Sequence, residues 1–75
     1  MGKVRVLSGL EVCQILERNG FLLVRQRGSH RIMQKRLDNT TITVPVAMHN
    51  PVPVGTLLSI IRQSGLPKFL FETQT

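Results

Sequence analysis

Phe21-Leu22-Leu23-Val24-Arg25-Gln26-Arg27-Gly28-Ser29-His30-Arg31-Ile32-Met33-Gln34-Lys35-Arg36 is the stretch on which the fold turns. Residues 21–27 pass from apolar to basic, as a strand does when it runs out of a core. Gly28-Ser29 is a turn signal, and His30 to Arg36 reads as a second strand. Leu37-Asp38-Asn39 supplies the next turn. Thr41 to Val46 then alternates, with Thr41 and Thr43 on one face and Ile42, Val44 and Val46 on the other. Pro45 has no N–H to give a ladder, so this run is an edge strand or a strand end.

Outward from these strands the period changes. Ser8-Gly9-Leu10-Glu11 has the form of a capping box, in which the Ser8 hydroxyl accepts from the amide three residues on and Glu11 reaches back. Leu10, Val12, Cys13, Ile15 and Leu16 make an apolar stripe, with Glu11, Gln14 and Arg18 opposite. Asn19-Gly20 ends this helix, since glycine adopts the left-handed cap conformation cheaply. After the third strand, His49-Asn50-Pro51-Val52-Pro53 is a proline-stiffened loop. A second helix is expected from about Pro53 or Val54 to Ser64, with Leu57, Leu58, Ile60, Ile61 and Ser64 toward the core. Gly65 caps it and Pro67 stops it. Leu66, Phe69, Leu70 and Phe71 are expected to form a last short turn over the core. The order predicts an α+β fold, α-β-β-β-α, with a three-stranded antiparallel sheet and both helices on one face.

The 75 residues are read as one domain spanning 1–75, with no repeat or linker to divide it. A hydrophobic content of 41% suits a packed domain rather than a disordered tail. No apolar run approaches the roughly 18–20 residues that span a bilayer, so no membrane is expected. The charged start, Met1-Gly2-Lys3-Val4-Arg5, is not followed by the apolar stretch of a signal peptide, and a cytoplasmic protein is expected. Cys13 is the single cysteine, which excludes an internal disulfide and a multi-thiolate zinc site. Its apolar neighbours make it a small core residue. Met33 and Met48 are read as gap-fillers.

Charge is the strongest bulk signal. Ten Lys and Arg against four Asp and Glu give a net charge of +6, which attracts polyanions, nucleic acid foremost. Arg25, Arg27, Arg31, Lys35 and Arg36 are clustered, with no acid between Glu17 and Asp38. Such a cluster grips phosphates, since a guanidinium can hold one bidentately. His30 lies in its midst. An imidazole with a reference pKa of about 6.5 is largely neutral near pH 7 and can take the proton of an RNA 2′-hydroxyl. That oxygen then attacks the adjacent phosphorus. From the residues alone, a strand-start histidine satisfied by a backbone carbonyl is an equal reading. The four carboxylates, Glu11, Glu17, Asp38 and Glu72, are scattered, so neither a metal nor another cofactor is expected.

Three motifs then act together. Leu22-Leu23-Val24-Arg25-Gln26-Arg27-Gly28-Ser29-His30, Thr43-Val44-Pro45-Val46, and Gly55-Thr56-Leu57-Leu58-Ser59-Ile60-Ile61-Arg62-Gln63-Ser64-Gly65-Leu66 resemble the hallmarks of the HicA toxins (the YcfA-like family), over roughly Ser8 to Phe71. The resemblance implies a double-stranded-RNA-binding-like fold with its core at about residues 8–71. It also implies a ribosome-independent endoribonuclease that cleaves messenger RNA, held off by a HicB-type antitoxin. The family's essential histidine falls on His30, and Gly28 matches the family glycine beside the RNA. The basic cluster and the Gly28-Ser29-His30 segment together give the expected RNA-binding set, Arg25, Arg27, Gly28, Ser29, Arg31, Lys35 and Arg36, with the guanidinium groups of Arg27 and Arg31 holding the phosphate. The leaving-group acid is open between His49 and Lys35.

Two departures stand out. Ala47 follows Val46 where many members have histidine, and Leu58 stands where many have a basic residue. The runner-up reading is a non-catalytic RNA-binding module, and a structural protein with a basic surface is third. Base stacking fits poorly, because Phe21, Phe69 and Phe71 are the only aromatic residues and each has a core-like context. The facing of His30 is open, since it shares strand parity with apolar Ile32, while Ser29, Arg31, Met33 and Lys35 share the other side. Oligomeric state is not written in the sequence.

Overall fold

The computed structural model describes residues 3–72. Helix α1 (Gly9–Arg18) leads into strands β1 (Leu22–Arg27), β2 (His30–Arg36) and β3 (Thr41–Ala47), then helix α2 (Val54–Ser64) and a 3-10 turn at Lys68–Phe71. The strands form one antiparallel sheet in the order β1-β2-β3. This is the expected α-β-β-β-α fold of the double-stranded-RNA-binding kind.

Helix α1 begins at the capping box. The Ser8 amide donates to Glu11 Oε1 at 2.9 Å, and the Glu11 amide donates to Ser8 Oγ at 3.1 Å. Gly9, Val12, Cys13 and Leu16 define the buried arc, joined by Ile15. Leu10, expected in the apolar stripe, is instead exposed. The stripe starts one residue earlier, because the bare backbone of Gly9 itself lies on β3. A Cβ there would collide with the Ala47 carbonyl oxygen and come within 2.9 Å of Met48 Cα. The helix ends at Asn19, whose side-chain amide donates to the Ile15 carbonyl at 2.8 Å, and Gly20 follows at φ +96°.

Register decides which face of the sheet is which. Met33 pairs with Leu23 and Val44, and Arg31 pairs with Gln26 and Val46. Met33, Val44 and Val46 are fully buried, so the odd-numbered side chains of β2 point toward the helices. Val12, Leu16, Phe21, Leu57, Ile60 and Phe71 complete the core, each apolar side chain worth roughly 1.5–3 kcal/mol of burial. Among the described residues, no helix lies on the opposite face of the sheet. Pro45 lies on β3, an edge strand, as its missing N–H requires.

Helix α2 buries Leu57, Ile60, Ile61 and Ser64, and leaves Leu58 exposed against expectation. Leu58 lies 100° around the helix from Leu57, just outside the arc that β3 covers. Ser64 is tolerated inside because its hydroxyl donates to the Ile61 carbonyl at 2.7 Å and accepts from the Leu66 amide at 3.1 Å. Beyond Gly65 the 3-10 turn buries Phe71 but turns Phe69 outward, which corrects the core-like reading of that ring. One element has no signature in the sequence pattern. The segment before α1 is a strap, with Leu7 buried, a bridge between Val4 and Glu72, and the Arg5 amide donating to the Phe71 carbonyl at 2.8 Å.

Candidate functional site

The site is built by the β1–β2 hairpin. Gly28 takes φ +58° and Ser29 does not, so the two-residue loop has the positive φ only at its first position, where glycine is favoured. The loop sets Arg27 directly opposite His30. Directly opposed side chains on one sheet face have Cβ atoms about 4.5–5.5 Å apart. On its other side His30 faces Ala47 of β3. The Met48 amide donates to the Ser29 carbonyl at 2.7 Å, and the Gly9 amide donates to the His49 carbonyl at 2.8 Å. Turn, edge strand and helix start are thus tied together by main-chain bonds at the His30 end of the sheet.

Because Met33 rather than Ile32 faces the helices, His30 lies on the open face and is exposed. Arg27, opposite His30, Arg25, opposite Ile32, and Arg36, farther along β2, lie on that same face. The open face therefore presents an imidazole among guanidinium groups. Gly28 and Ser29 are exposed at the tip, and a Cβ on Gly28 would meet nothing within 4 Å, so its glycine answers to backbone conformation rather than crowding.

The structure divides the sequence-predicted cations between two faces. Arg31 is half-buried on the helix side, where its Nε is enclosed without a hydrogen-bond partner among the described residues. Lys35 also points to the helix side, its ammonium 6.0 Å from the centre of the Phe21 ring. Arg31 therefore does not join Arg27 beside His30, and Lys35 lies both on the other face and toward the far end of the strand. His49 is exposed, two residues beyond Ala47. Cys13 is buried; burial pushes its thiol up, while the nearby Arg31 charge acts in the opposite direction.

Sequence reading missed Ala47 as the cross-strand partner of His30, and missed the β-bulge between Leu23 and Arg25. The two-residue turn was enough to pair Arg27 with His30. Nothing local fixes the register of β3, and the adjacent apolar residues Ile32 and Met33 hide the parity of β2. Among the described residues no group of three or more His, Cys, Asp and Glu side chains is placed to hold a metal ion, and no helix is long and apolar enough to cross a membrane.

A helix–sheet–helix domain of the double-stranded-RNA-binding kind, with an exposed histidine and arginines on the sheet face away from its helices, defines a class of small basic α+β protein. The sequence model of one family, the HicA toxin of bacterial toxin-antitoxin systems, matches residues 9–66, and the chain belongs to that family. Membership implies an antitoxin partner. No curated protein gives a significant match.

Proposed function

We propose that this toxin is a ribosome-independent endoribonuclease of messenger RNA in the cytoplasm, with His30 as general base. The observation that carries the reading is the exposed imidazole on the open sheet face, with Arg27 directly across the hairpin from it. His30 takes the proton of a 2′-hydroxyl, and the 2′-oxygen attacks the adjacent phosphorus. The bond to the 5′-oxygen breaks, leaving a 2′,3′-cyclic phosphate and a 5′-hydroxyl. Arg27 and Arg25 stabilise the charge that develops on phosphorus, an effect that is strongest for fixed cations close to the reacting group. Lys35 faces away from this centre, so His49 is the side chain we assign to protonate the leaving oxygen. No metal takes part in these steps, and no other cofactor is invoked.

Arg36 holds the strand farther along the same face, while Gly28 and Ser29 let the backbone approach it. Arg31 and Lys35 act from the helix side, adding to the positive field around the molecule rather than to the grip on the reacting phosphate. A HicB-type antitoxin restrains the activity, and an acidic one would be drawn to the basic surface. The test is induced expression of wild type and His30→Ala, with growth and total RNA followed. Growth arrest and RNA decay that survive the substitution would overturn the assignment. With purified protein, cleavage in chelator and its loss on 2′-O-methyl RNA are expected. Binding without any cleavage would make the chain an RNA-binding module.

A further inference from the structure

At the end of the open face away from His30 there is a concavity of about 320 Å³, lined by Leu22, Val24, Gln34, Arg36 and Thr41. It owes its shape to the bulge in β1, which leaves Val24 without a partner while Leu22 pairs with Gln34. Leu22 is 70% exposed and Val24 50%, so two apolar side chains that the core does not use form the lining on the β1 side. On the other side, Gln34 is anchored by its amide nitrogen, which donates to Thr43 Oγ1 at 3.2 Å. That anchor leaves the carbonyl oxygen of Gln34 to meet a ligand, and Arg36 supplies a cation at the rim.

We propose that this concavity is a nucleobase subsite for single-stranded RNA, and that Gln34 makes it selective. The inference rests on the RNA-cleaving reading of the same face. Gln34 and His30 share parity on β2 and are four residues apart, about 13 Å along the strand. A strand of RNA with its scissile phosphate at His30 reaches Gln34 a few nucleotides away. Arg25 and Arg27 run beside that path, and the positive face selects a polyanion over a neutral apolar peptide. Aliphatic side chains cover the flat face of a base without choosing among bases. A fixed amide oxygen does choose, favouring a base edge that presents a donor.

The experiment reads base preference directly, using a randomised single-stranded oligoribonucleotide pool. Wild-type cleavage sites are sequenced, and the same pool is selected by binding to His30→Ala. Both readouts should show a preference for donor-bearing bases at one position displaced from the cut. Gln34→Leu should reduce that preference about tenfold, the scale of one hydrogen bond, without moving the cut site. Leu22→Ser, a change at an exposed position, should weaken binding of the pool several-fold. Thermal melts identify any variant that has lost its fold, and the two variants report independently.

Unchanged preference in Gln34→Leu together with unchanged binding in Leu22→Ser overturns the subsite, even if His30 proves catalytic. If those variants cut the pool as wild type does but escape inhibition by the antitoxin, the concavity is a protein contact and the proposal is wrong. Base selection by His30→Ala that Gln34→Leu abolishes supports the subsite even if wild type never cuts. If wild type neither binds nor cuts the pool, both readings fall.

Discussion

At the scale of single residues, the two faces of β2 make opposite demands on neighbouring side chains. His30→Ala alters an exposed position, so stability should change by no more than about 0.5 kcal/mol. Loss of a general base should lower RNA cleavage by about 10²–10⁴-fold, measured on a labelled oligoribonucleotide. Arg27→Ala should approach the lower end of that range. Arg31→Ala should cost cleavage far less, because its half-buried side chain leaves the sheet on the helix side, away from His30. Equal losses in the two arginine variants would show that the division between faces is wrong. Cys13 gives a second residue-scale test. Its thiol is pushed up by burial, so its contribution to stability is fully present below the unfolded thiol's pKa, about 8.5. The contribution is lost as pH rises through the folded value. Denaturant midpoints should therefore fall more steeply in alkali for wild type than for Cys13→Ala, and parallel curves would contradict this. The chemistry of the site was legible to the extent that His30 and its arginines stood out in the sequence. That Arg31 lies across the strand from His30 also follows from parity, but which of the two faces the helices cover does not, because Ile32 and Met33 offer two equally apolar registers.

At the scale of elements, α1 depends on its first turn. Ser8→Ala removes one of the two capping bonds and should cost about 1 kcal/mol, read as a lower denaturant midpoint. The Glu11 carboxyl is held below its ordinary value, first by the Ser8 amide, then by the Ser8 hydroxyl and the Arg5 charge. Its contribution is present above the unfolded carboxyl's pKa and disappears as pH falls through the folded value, so the cap loosens in acid. Gly9→Ala is a harsher change despite its small size. The added methyl meets the backbone of Ala47 and Met48, neither of which is a flexible side chain, and about 1–3 kcal/mol of destabilisation is expected. If Gly9→Ala were neutral in a thermal melt, α1 and β3 would not be in such close contact. The elements themselves were readable because each obeys its own signal: the capping box, the Gly28-Ser29 turn, the alternation from Thr41, the Gly65 stop. Leu10, Leu58 and Phe69 were misplaced because hydrophobicity does not say where a covering surface ends. The bulge at Val24 had no signal, as it arises from pairing rather than composition.

At the scale of the whole molecule, a small core is closed by a strap that links the segment before α1 to the 3-10 turn. Phe71 is fully buried beneath it, and the Arg5 amide bonds to its carbonyl. Phe71→Ala should cost about 3–5 kcal/mol, a large share of the stability of a domain this size, and leave much of the protein unfolded by circular dichroism at 37 °C. A native-like spectrum and melt would show the turn to be dispensable. The strap escaped sequence reading because it forms a single bridge, Val4 to Glu72, between segments far apart along the chain. The bond from the Met48 amide to the Ser29 carbonyl works on the same principle nearer the site. It fixes the hairpin against β3 without drawing on either side chain. The bond itself therefore does not depend on which side chains stand at positions 29 and 48, although Met48 is also held by its packing against the core. A proline at position 48 deletes the amide and so breaks this tie.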